Sequence, residues 1–78
     1  MQFNEFYMSW YSRAIGFARH YVSTDADAEN MVQDVFLKLY EHWSALDGTM
    51  NITSYLFTSL RNRCLNALRQ QLKEQRER

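Results

Sequence analysis

Apolar residues recur at helical spacing in three stretches of the chain, and no β-rich alternating run bounded by turn residues is visible. In the middle stretch, AENMVQDVFLKLYEHW, a helix turning about 100° per residue places Ala28, Val32, Val35, Phe36, Leu39 and Trp43 within one sector. That sector faces a core. The opposite sector collects Asn30, Gln33, Asp34, Leu37 and Glu41, so a leucine stands in the middle of a polar face that a solvated helix fills with charge. One side of this helix is expected to hold the domain together, while the other offers an acidic, leucine-centred patch to a partner.

A first helix is predicted over Phe3–Val22, with Phe3, Phe6, Tyr7, Trp10, Ala14, Phe17, Ala18 and Tyr21 on its packing side and Glu5, Ser9, Ser12, Gly16 and Arg19 on the other. In the following STDAD segment, Thr24 and Asp27 form a capping pair, and Asp25, Asp27 and Glu29 suit the positive end of a helix dipole. That local role is sufficient for these acids, which lack the glycine turn and the ligand number of a calcium loop. A third helix is predicted over Ile52–Leu72, capped by Asn51 or Thr53, after a loop in which Asp47-Gly48 is the turn signal. Leu56, Phe57, Leu60, Cys64, Ala67 and Leu68 face inward, with Cys64 serving as a small apolar residue. The predicted fold is therefore all-α, a small three-helix bundle with a short loop before its third helix.

Size makes the core a matter of a few large side chains, because a chain of 78 residues buries only about 60% of the surface its unfolded form exposes. Seven of the twelve aromatic residues lie in the first 22 positions and supply those anchors. Proline is absent and glycine occurs only at Gly16 and Gly48, so little interrupts long helices.

The zero net charge hides a division. Residues 1–52 carry seven acids against three bases, and residues 53–78 carry six bases against two acids. This asymmetry fits either a polyanion near the C-terminal part with a different partner near the acidic part, or mutual attraction of the two halves. The outer stripe of the third helix, Tyr55, Thr58, Ser59, Asn62, Asn66, Arg69 and Lys73, favours the polyanion, since no acid occurs between Tyr55 and Lys73. Asn reads base edges as donor and acceptor, Arg and Lys neutralise phosphates, and the hydroxyls bond to the nucleic-acid backbone.

Several classes are excluded by what the sequence lacks. His20, His42 and Cys64 have no zinc-site spacing, and neither a glycine-flanked nucleophile turn nor a phosphate-binding glycine loop is present. No catalytic residue, metal or cofactor is predicted. The single Cys64 cannot form an internal disulfide, no apolar run approaches the ~18 residues of a membrane span, and the N-terminus lacks the order of a signal peptide. A soluble cytoplasmic protein with no membrane partner is expected.

The run DADAENMVQDVFLKLYEHW, followed by a short loop and ITSYLFTSLRNRCLNALRQ, resembles region 2, the N-terminal promoter-binding domain, of extracytoplasmic-function (ECF) sigma factors in the sigma-70 family. The pattern is acid, Ala, Glu, then Val-Gln-Asp, an aromatic and a terminal Trp, and the resemblance covers essentially the whole chain. It implies a bacterial transcription initiation factor domain, with no enzymatic activity, that gives core RNA polymerase its promoter choice. Binding to the clamp helices of the polymerase β′ subunit falls on Gln33 and Asp34, with Asn30, Leu37 and Glu41 as neighbours. Recognition and opening of the promoter −10 element fall on the third helix, through Tyr55, Ser59, Asn62, Arg63, Asn66, Arg69 and Lys73. The resemblance makes the preceding loop, Leu46, Asp47, Gly48, Thr49, Met50 and Asn51, the wall of a pocket for a base extruded from the opened strand.

Two departures from the family pattern stand out. Asn66 occupies a position that is commonly acidic, and the loop has no aromatic on which a base could stack, so Leu46 and Met50 are left to supply apolar contact. The family also implies an anti-sigma factor as a further partner and a second, helix-turn-helix domain for the −35 element. Residues 1–73 are expected to form the region 2 domain and 74–78 the start of an interdomain linker, the chain being an excised domain or a truncated member. The competing reading is a small helical interaction module whose basic helix binds an acidic protein.

Overall fold

The computed structural model describes residues 2–46 and 51–76, which form α1 (Phe3–Ala18), α2 (Asp25–Glu41), α3 (Trp43–Leu46) and α4 (Ile52–Arg76). The all-α bundle predicted from the periodicity is the fold observed, with a one-turn α3 where the sequence pattern predicts loop.

The helix boundaries follow local hydrogen bonding. α1 ends short of the predicted Val22 because the His20 N–H donates to the Phe17 carbonyl at 3.2 Å and the Tyr21 N–H to that of Ala18 at 3.0 Å. These tighter bonds, each spanning three residues, turn the chain out of the helix. α2 begins at Asp25, ahead of the apolar sector, because Thr24 is extended and its hydroxyl accepts from the Asp27 N–H at 3.1 Å. This is the capping pair read from the sequence. Thr24→Ala is expected to cost about 1 kcal/mol, seen as a lower urea midpoint with an unchanged slope. Asp25 also pairs with Arg19 across the α1–α2 connection at 3.0 Å, an exposed contact of small worth.

α3 forms because the Ala45 and Leu46 N–H groups both donate to the His42 carbonyl, at 3.0 and 3.1 Å. At the start of α4 the Asn51 side-chain oxygen accepts from the Ser54 N–H at 3.2 Å, so Asn51 is the cap. α4 then runs past Leu72, and through the expected domain boundary at 73, to Arg76. No glycine or proline follows residue 52 to stop it.

Phe36 of α2 is the centre of the packing. Around its ring stand Tyr7 at 4.9 Å, Phe6 and Tyr11 at 6.2 Å and Phe3 at 6.3 Å between centroids, all from α1. Because Phe3 also meets Tyr40 and Trp43 at the far end of α2, α1 and α2 run antiparallel. Trp43 closes that end of the bundle, 5.5 Å from Phe6. α4 contributes the fully buried Leu56, Leu60 and Cys64, and its Phe57 ring lies 5.8 Å from Trp10 and 5.4 Å from Phe17.

Cys64 behaves as an apolar core residue. Its sulfur is 3.7 Å from that of Met31, and burial pushes its thiol above the ordinary value, against a smaller opposing effect of the Arg63 charge. The thiol therefore stays protonated and inert near neutrality.

The 25 residues of α4 span roughly 37 Å, longer than the 21 Å and 17 Å short dimensions of the molecule. Its last turns, residues 69–75, are exposed throughout.

Candidate functional site

The outward side of α2 is open to solvent as predicted. Asn30, Gln33 and Glu41 are exposed, Asp34 is half-buried, and Leu37 is 56% exposed although its neighbour Phe36 is 2% exposed. The apolar part of this surface is wider than the sequence reading places it. Phe3, Tyr7, Gln33, Phe36, Leu37 and Tyr40 line a shallow groove of about 250 Å³ between α1 and α2. Tyr40 is 63% exposed, and its ring stands edge-on to Phe3 at 5.2 Å. The signal for Tyr40 was in the sequence, since it follows Leu37 by three residues and so shares its side of the helix.

On α4, Asn62, Arg63, Asn66, Arg69 and Lys73 are exposed, while Tyr55 and Ser59 are half-buried. The structure gathers five of these seven into one place. Tyr55, Ser59, Asn62, Arg63 and Asn66 line a cleft of about 290 Å³ whose other wall is α2, through Asp34, Val35 and Lys38. Arg69 and Lys73 lie further along α4, beside Gln70 and Glu74. Lys38 is absent from the sequence-derived set because, placed on a wheel, it belongs to neither the core sector nor the opposite one. Only the packing of α2 against α4 shows that it faces the basic stripe.

The same packing corrects the clean separation of Asp34 from Arg63. Sequence reasoning puts the first with the polymerase-facing residues and the second with the DNA-facing ones, yet the Asp34 carboxylate accepts a hydrogen bond from the Arg63 guanidinium. Asp34 sits where the two faces meet. Among the described residues, the charged groups lining the cleft are Asp34, Lys38 and Arg63, one acid against two bases, and the carboxamides of Asn62 and Asn66 share the lining. Such a lining suits a phosphodiester backbone with exposed base edges beside it.

The loop residues fare differently. Leu46, predicted to offer apolar contact to a base, is 7% exposed and belongs to the core, because the turn of α3 rotates its side chain inward. Asn51 is engaged in capping α4. Asp47, Gly48, Thr49 and Met50 lie outside the described residues. Among the described residues, no three His, Cys, Asp or Glu side chains converge as metal ligands, and no helix is long and apolar enough to cross a membrane.

No curated protein and no solved structure matches the chain closely enough to count as a relative. The family model described as sigma-70 region 2 does match, over residues 6–74. That span reaches all four helices and takes in both the outward side of α2 and the α2–α4 cleft. On it, the chain belongs to the sigma-70 family as a region 2 domain, the non-enzymatic part of a sigma factor involved in binding core RNA polymerase and recognising promoters.

Proposed function

We propose that this chain is the region 2 domain of a cytoplasmic sigma factor of the extracytoplasmic-function type, docking on the β′ clamp helices through α2 and engaging the opened −10 strand through α4. The observation that carries this reading is the exposure of two chemically different faces on adjacent helices. Leu37, 56% exposed, stands among Asn30, Gln33, Asp34 and Glu41 on α2, and Asn62 and Asn66 are exposed on an α4 stripe without acids.

An apolar anchor surrounded by polar groups that set register is how a modest protein interface is built. A stripe of carboxamides and bases suits an unpaired strand, with Arg63, Arg69 and Lys73 on phosphates and Asn62 and Asn66 on base edges. Asp47, Gly48, Thr49 and Met50, between the buried Leu46 and the cap Asn51, are the proposed wall for an extruded base. The same α2 surface is open to an anti-sigma factor, which would compete with polymerase for it. Residues 1–73 act as the binding domain.

Single-stranded oligonucleotides of differing sequence test the strand-reading part. Competition among them should give an affinity ranking by sequence, and Asn62→Ala is expected to flatten it, since a good base contact discriminates by about 1–3 kcal/mol. Equal affinity for every oligonucleotide in the unaltered chain would instead favour a basic helix made for an acidic protein.

A further inference from the structure

Asp34 and Arg63 form an ion pair across the cleft between α2 and α4. Asp34 is the only acid among the described residues lining this cleft, which also holds Lys38, Asn62 and Asn66. A phosphate entering it meets a guanidinium already engaged by a carboxylate, which both occupies an Arg63 donor and repels the incoming charge. Yet the pair is not locked away. The two side chains are 46% and 47% exposed, a setting in which an ion pair is weak and exchanges partners readily. Asp34 also adjoins the exposed Gln33 and lies one turn from the exposed Leu37, so a partner docked on that part of α2 comes close to its half-exposed side chain.

Resting on the two faces described under Proposed function, we propose that Asp34 is an internal competitor for Arg63 that couples the two binding events. In the free chain the ion pair lowers the affinity of the cleft for a phosphodiester backbone. A polymerase group that captures Asp34 leaves Arg63 to the strand, and a strand that takes Arg63 leaves Asp34 to the polymerase. By linkage each partner strengthens the other by the same factor.

The test is the fluorescence anisotropy of a labelled, random-sequence pool of single-stranded oligodeoxynucleotides, titrated with the chain at low salt without polymerase. Asp34→Asn is expected to tighten binding about two- to fivefold, the range that releasing an exposed ion pair allows. Arg63→Ala weakens it, and Asp34→Asn adds distinctly less in the Arg63→Ala background, where only its direct repulsion of the strand is left to remove. Glu29→Gln, which removes one acid from an exposed position of α2 outside the cleft, leaves the affinity near that of the unaltered chain. A titration of core polymerase with Arg63→Ala is the reciprocal arm, and tighter binding is expected there.

The coupling is overturned if Asp34→Asn gives no gain, or gives the same gain in the Arg63→Ala background or in Glu29→Gln, which would be a net-charge effect. In those cases Arg69→Ala still weakening the complex leaves the assignment of α4 to the strand standing. A pool that does not bind the chain at all overturns both.

Discussion

Phe36→Ala is expected to lower the midpoint of thermal unfolding by at least about 12 °C. The ring is 2% exposed and touches four aromatic neighbours on α1, so its removal takes away both transfer free energy and the contacts that fill the space, together about 3–5 kcal/mol. A domain of this size has roughly 4–12 kcal/mol of stability in all, and each kcal/mol moves the midpoint by about 4–8 °C. Circular dichroism on heating measures this directly. A shift under about 5 °C would mean that the packing centre lies elsewhere, because neither the α1–α2 contact nor the seating of Trp43 could then depend on that ring.

Leu37→Arg, one residue along, is expected to do the reverse: leave folding intact and abolish binding to core polymerase. Leu37 is 56% exposed on a helix interior, arginine is a good helix former, and surface substitutions of this kind stay within about 0.5 kcal/mol. At an interface the same change removes an apolar anchor and inserts a charge that must be desolvated. Central anchors of protein interfaces are worth about 2 kcal/mol or more, which is roughly thirtyfold in affinity. Tyr40 and Phe3 beside it give the patch the aromatic character of such a centre. Polymerase titration with helicity measured in parallel is the check. Unaltered binding by a folded Leu37→Arg chain would remove α2's outward side from the interface.

The contrast between neighbouring positions 36 and 37 was visible in the sequence because a helix of known period assigns each residue a direction, and the apolar sector of α2 is unambiguous. Caps were legible for the same reason: Thr24 and Asn51 are residue types whose side chains bond to backbone N–H groups three residues on, and both do. The extra turn of α3 was not legible, since four residues are too few to show periodicity. That turn is what buries Leu46, so one residue expected at a base pocket is a core residue instead.

The Asp34–Arg63 pair was equally out of reach. The two residues are 29 positions apart, and each fits comfortably into a separate set when its own helix is read alone. Their meeting depends on the register of α2 against α4, which also places Met31 on Cys64 and Lys38 among the residues facing Tyr55 and Ser59. A wheel diagram gives directions within a helix but no register between helices. Lys38 was missed for that reason, and the sets assigned to two partners turned out to share a border.

The division of labour between α2 and α4 is tested most directly by titrating core RNA polymerase with labelled chain in three forms: unaltered, Leu37→Arg and Asn62→Ala. The account predicts that Leu37→Arg fails to bind polymerase, whereas Asn62→Ala binds it as the unaltered chain does and loses only its preference among promoter-strand oligonucleotides. Binding of Leu37→Arg at full affinity, or loss of polymerase binding by a folded Asn62→Ala chain, would contradict it.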